Sequence, residues 1–196
     1  MANKVYMPPS KSVEYPTPDD LFDQLNGEFG PFTLDPCCRP AHYTAKRVLD
    51  AGGTIYIPPD VSGEWKDAYE DVKVDGLAQD WHGRVFMNPP YGREIVKWIE
   101  KAVEEVYVEE RVEIVVALLP VRTDTAWWQG YINRGNSMAP QLGQKLLNIH
   151  LANRNIKLPY ATASGVRYLP GRLKFGGEKN SAQFASAVVV WSRYDD

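Results

Sequence analysis

Arg84-Val85-Phe86-Met87 runs without a break into Asn88-Pro89-Pro90-Tyr91-Gly92. The apolar run reads as a short strand, and the diproline step ends it, because neither proline has an N–H to offer a neighbouring strand. Beyond Gly92 the apolar positions Ile95, Trp98, Ile99, Ala102, Val103 and Val106 recur at helical spacing through an otherwise charged segment. That pattern predicts an amphipathic helix lying on a sheet. Val112 to Leu119 is then continuously apolar and rich in β-branched residues, the mark of a strand buried on both faces of a parallel sheet. Strand, helix and strand in this order predict an α/β fold: a Rossmann-like, open, mostly parallel sheet with helices on both faces.

Working outward, Thr17 is expected to cap a helix whose first position is Pro18. Asp19 and Asp20 would lie in its first turn, Leu21, Phe22 and Leu25 on one side, and Asn26-Gly27 at its end. A strand is expected at Phe32 to Asp35 and another at Ile55 to Ile57, closed by Pro58-Pro59. The polar stretch from Asp60 to Asp75 reads as a surface excursion. Two late strands, Val166 to Phe175 and Ala185 to Ser192, are separated by Gly176-Gly177 and polar residues, which favours a hairpin. In an open α/β sheet ligands bind at the carboxyl ends of the strands, where Asp35, the 75–80 segment and Asn88 would all emerge.

The chain has 196 residues, 44% of them apolar and 12% aromatic, enough to bury one sizeable core, and residues 1–196 read as one domain. The first eighteen residues are polar and proline-rich without a signal core, and the longest apolar stretch, Ile114 to Leu119, is far too short to span a bilayer. No membrane association is expected, and the cytoplasm is the expected compartment. Cys37 and Cys38 are adjacent and have neither disulfide nor metal-ligand spacing; His42, His82 and His150 are scattered. Two small buried thiols and no metal are expected.

A net charge of −3 conceals an asymmetry. Between Arg122 and Lys174 stand eight basic residues against the single acid Asp124, a balance of +7, so the remainder carries −10. Trp127, Trp128, Tyr131, Asn148, Asn153, Asn155 and Tyr160 are interleaved with those cations. Residues of about 121–165 therefore read as a basic, aromatic insert suited to a polyanion whose bases are stacked on or read. The competing reading is a solvated cationic loop over packed aromatics.

The corner at Asn88 suggests a particular chemistry. An exocyclic amino nitrogen on an aromatic ring is a poor nucleophile because its lone pair is delocalised. Two acceptors on its hydrogens would localise that pair. Asn88 offers a side-chain oxygen, and Pro89 still offers its backbone carbonyl. Successive prolines fix φ and bias Asn88 and Pro89 away from helix, so both acceptors would be held before a substrate arrives. Tyr91 supplies a flat face for a base to stack on. The plain alternative is a diproline turn that merely ends a buried strand.

Asn88-Pro89-Pro90-Tyr91 resembles the motif of S-adenosylmethionine-dependent amino-methyltransferases. Taken with Glu14-Tyr15-Pro16-Thr17-Pro18, Phe32-Thr33-Leu34-Asp35, the run from Asp75 to Trp81 and Gly171-Arg172-Leu173-Lys174-Phe175, the chain resembles the phage-type DNA adenine-methyltransferase family over about residues 14–192. The resemblance implies the class I methyltransferase variant of the fold, with a reversed C-terminal hairpin strand, and S-adenosylmethionine as cofactor. It implies Asn88, Pro89, Pro90 and Tyr91 as catalytic residues acting on an adenine rotated out of double-stranded DNA. Thr17 and Pro18, with Tyr15 nearby, would meet the methionine end of the cofactor, Asp35 would mark the first acidic strand end, and Asp75 would accept from the cofactor's adenine amino group. Each has a structural rival: a plain cap at Thr17, a turn with Pro36 at Asp35, a turn with Gly76 at Asp75. Arg122 and Thr123 would contact the target strand, and Arg172 and Lys174 would hold phosphates. The loop Pro36-Cys37-Cys38-Arg39-Pro40 departs from the pattern by lacking a Gly-x-Gly step, and Asp60 is a candidate for the ribose. The same motif also serves enzymes that methylate RNA bases or protein glutamine, and a non-catalytic DNA-binding module with this fold is a further alternative.

Overall fold

The protein is described here as a computed structural model covering residues 15–39, 41–59, 72–133, 163–177 and 180–193. Seven strands form one sheet: β1 (Leu34–Asp35), β2 (Thr54–Ile57), β3 (Val72–Val74), β4 (Gly83–Met87), β5 (Val112–Pro120), β6 (Gly165–Tyr168) and β7 (Ser186–Ser192). Their order is β3-β2-β1-β4-β5-β7-β6. The first five pair in parallel, while β7 runs antiparallel to both β5 and β6. This is the expected methyltransferase topology, a parallel sheet closed by a reversed last strand. Among the described residues no helix is long and apolar enough to cross a membrane.

Alternation along the strands divides the core into two layers. On β5, Val115, Ala117 and Leu119 face helices α3 (Ile95–Tyr107) and α4 (Ala126–Tyr131), whereas Ile114, Val116 and Leu118 join the side of α1 (Asp19–Phe29) and α2 (Tyr43–Asp50). Such two-sided burial is why the run from Val112 could be read directly as a central strand. The predicted stripe of α3 is buried as expected, from Ile95 through Val106.

Several boundaries differ from expectation for identifiable reasons. Thr17 does not cap α1: Pro18 occupies the cap position and makes no side-chain cap bond, and the Thr17 hydroxyl turns to Asn88 instead. The helix continues through Asn26-Gly27 to Phe29, because Asn26 turns its polar groups to the chain beyond. Its backbone oxygen accepts from Gly30, and its side-chain oxygen accepts from Phe32 N–H. β3 lies inside the stretch read as a surface excursion, where three residues are too few to display an alternation. β6 stops at Tyr168 rather than Phe175, and the described residues between it and β7 include a short 3-10 turn at Phe175–Gly177. The pair β6 and β7 is antiparallel as expected, but Gly176-Gly177 is not a tight hairpin turn. Asp60 and most of the basic insert, 134–162, lie outside the described residues.

Candidate active site

Strand order reverses between β1 and β4, the neighbours from which the chain departs in opposite directions, and a crevice is expected just beyond their carboxyl ends. A small crevice lies there, lined by residues that include Tyr15, Thr17, Asp35, Asn88, Pro89 and Pro90. Three separate stretches of sequence thus converge. A second, more open hollow adjoins it, sharing Thr17 and His42 and adding Pro18, Lys46 and Lys174.

Asn88 stands at the end of β4 with an asymmetric set of partners. Its Nδ2 donates to the Tyr15 carbonyl at 2.7 Å and to Thr17 Oγ1 at 2.9 Å. Its Oδ1 is buried and has no hydrogen-bond partner. A buried acceptor without a donor costs on the order of 1–3 kcal/mol, so one left open beside a crevice marks a position that a ligand's N–H would relieve.

Asp35 ends β1 at 2% exposure. Burial raises its carboxyl to about 7, offset in part by the Thr44 hydroxyl and the Cys37 backbone N–H. A carboxylate so placed gains from a cationic ligand. Cys37 and Cys38 are free thiols; burial, with the Asp35 charge beside them, pushes both well above the ordinary thiol range. They are protonated wall residues, not nucleophiles. Although His42 lines the same crevice, no group of three His, Cys, Asp or Glu among the described residues is arranged to hold a metal.

Tyr91 is pinned. Its hydroxyl donates to the Leu118 carbonyl at 3.0 Å, and burial raises its pKa well above the usual phenol value. Tyr15 stacks on its ring at 5.2 Å and 26°, with Phe175 and Phe184 set against it edgewise. The flat face expected to receive a base is therefore met in this state by Tyr15. Phe184 and Thr44 were not singled out in the sequence, and Phe175 and His42 were named there without a role in the site, because nothing local sets them apart; only the fold assembles them.

The remaining expected residues fall at three places. Asp75 follows β3 in a left-handed conformation (φ 59°), its side chain accepting from Leu77 N–H. It is outside the crevice lining, yet the turn it begins touches the loop after Asp35, since Gly76 abuts Pro36. Arg122 and Thr123 are exposed just past β5, where their carbonyls accept from Thr125 and Gln129. Arg172 and Lys174 are exposed on the β6–β7 connection, and Lys174 reaches the second hollow. Arg167, counted among the basic residues, is instead bonded to Glu28.

The family model for DNA N-6-adenine-methyltransferase (Dam) matches residues 63–138 of the chain, a span that runs from before β3 through the Asn88 corner to just past α4. No curated protein matches the chain. Among solved structures it is similar to that of a "putative RNA methyltransferase" from Pyrococcus horikoshii, with 12% identity and a TM-score of 0.49 over 96% of this chain and 92% of that one.

Proposed function

We propose that this chain is a DNA methyltransferase that moves a methyl group from S-adenosylmethionine to the exocyclic amino group of an adenine rotated out of the duplex. The methyltransferase assignment is supported by the family match across the corner and by the sheet topology. The observation that carries the reading is the buried, unpartnered Oδ1 of Asn88 at the carboxyl end of β4.

Asn88 Oδ1 and the Pro89 carbonyl accept the two amino hydrogens of the base, which concentrates the nitrogen lone pair on the side facing the methyl donor. Both acceptors are set in advance by the two prolines, so little reorganisation is needed at the moment of reaction. Tyr91 receives the base by stacking once the Tyr15 ring that covers its face has swung aside. The chemistry supplied by bound S-adenosylmethionine is an electrophilic methyl group on a positively charged sulfur. Asp35, Tyr15, Thr17 and Pro18 line the two hollows on that side, and the buried Asp35 carboxyl suits a cationic ligand. Asp75 completes this side as acceptor for the cofactor's adenine. Protonated Cys37 and Tyr91 offer no nucleophile, in keeping with direct transfer between bound partners held in line. Arg122, Thr123, Arg172 and Lys174 hold the DNA strand in this reading while the base is extruded, at a cost of a few kcal/mol. The expected partner is double-stranded DNA.

The test is transfer of a labelled methyl group to DNA followed by nucleoside analysis. N6-methyladenine is the expected product. Asn88→Ala is expected to lose roughly 10² to 10³ in turnover, by comparison with removal of a fixed transition-state partner elsewhere, with little loss of cofactor affinity. Normal methylation by that variant would overturn the acceptor role, and label in RNA or protein alone would overturn the substrate.

A further inference from the structure

We infer that Thr17, together with the Tyr15 backbone, is the positioning element that turns the Asn88 amide so that its oxygen, not its nitrogen, is left for the substrate. This rests on the function proposed above and adds to it a residue acting through another.

An asparagine amide has two nearly isosteric ends, and a half-turn would exchange donor for acceptor. The Tyr15 carbonyl can only accept, and it lies 2.7 Å from the amide end. Placing Oδ1 there would set two oxygens against each other, so the nitrogen must face Tyr15. Its second hydrogen then goes to Thr17 Oγ1 at 2.9 Å. Both donors are consumed, and Oδ1 is left buried and unpartnered. Thr17 is not needed as a helix cap, because α1 has no side-chain cap bond, and its 6% exposure keeps water from competing for the hydroxyl.

The strap that carries these partners is itself held from behind. Gly176 N–H donates to the Pro16 carbonyl at 3.0 Å. Gly176 has φ +53°, and a Cβ on it would lie 3.1 Å from Pro16 Cγ, so both its conformation and its closeness favour glycine. Gly176 is thus a second positioning residue, one step further from the reacting atoms.

Thr17→Val keeps the shape and removes the acceptor. The expected result is a fall in kcat for methyl transfer of about tenfold, the equivalent of about 1.4 kcal/mol, a loss that exceeds any weakening of the S-adenosylmethionine Kd measured by calorimetry. Thr17→Ser should recover most of that loss. Gly176→Ala, which acts on the strap from behind through Pro16, should lower kcat in the same direction and serves if Thr17→Val does not fold. In parallel, the side-chain NH2 signals of Asn88 in a nitrogen-15 spectrum should shift in Thr17→Val, a readout that needs no catalysis. Wild-type kcat in both variants, a loss confined to cofactor affinity, or unshifted NH2 signals would overturn the inference. If the wild-type chain methylates no adenine, the proposed function fails, while the amide signals still decide whether Thr17 holds Asn88.

Discussion

Gly76 lies against Pro36 so closely that a methyl group on its α-carbon would stand 1.9 Å from the Pro36 carbonyl oxygen. The turn after β3 and the loop after β1 are therefore one packed unit, and each carries a residue proposed above to meet the cofactor, Asp75 and Asp35.

Gly76→Ala must push that backbone apart. Overpacking of this kind costs about 1–3 kcal/mol, which should appear as a lowered urea midpoint with an unchanged slope. Because the displaced loop borders the crevice, S-adenosylmethionine binding should weaken too. Unchanged stability would mean that the two loops do not pack as described.

Asp35 gives a stability profile with a definite sign. Its folded value of about 7 lies above the ordinary 3.8, so between these values the folded chain binds more protons than the unfolded one. Stability should therefore fall as pH rises from about 4 to about 7 and level off above, by on the order of 4 kcal/mol from this group. Asp35→Asn should flatten that part of the profile in denaturant titrations at several pH values. A cationic ligand reverses the preference, so cofactor affinity should strengthen over the same interval in the wild-type chain.

Glu105 is fully buried on α3, where its carboxylate meets Arg111 at 2.9 Å and Lys101 at 2.7 Å and accepts from Trp81 N–H. Removing both cations would leave charge that water cannot reach. Arg111→Ala together with Lys101→Ala should cost about 3–5 kcal/mol in denaturant unfolding, whereas an exposed pair such as Lys97 with Glu94 should contribute under about 1 kcal/mol.

Replacing both Arg172 and Lys174 by alanine tests the phosphate role. Each phosphate contact adds about 0.9 to the slope of log affinity against log salt, so the double variant should lose close to 2 from that slope while binding cofactor normally. An unchanged slope would remove the β6–β7 connection from the DNA interface.

How far the chain could be read in advance followed from how local each signal is. The α3 stripe and β5 were legible because their apolar patterns span many residues and are set by burial alone. β3 was not, since three residues show no alternation, and α2 was not, since its buried face is carried by Thr44, Ala45 and Val48. In the site, the composition of Asn88-Pro89-Pro90-Tyr91 announced an acceptor corner. That Thr17 serves Asn88 rather than its own helix was not legible, because the two are 71 positions apart and only the fold brings them together. The stacking of Tyr15 on Tyr91 is of the same kind: both rings were read as ligand contacts, and neither local sequence says that they meet.

Because the Tyr91 hydroxyl is tied to the Leu118 carbonyl, the corner is mechanically part of the sheet's rigid slab. It is a fixed anvil, unable to follow an incoming molecule. Adjustment to ligands of different bulk must then fall to whatever rests on the anvil, first of all the ring of Tyr15.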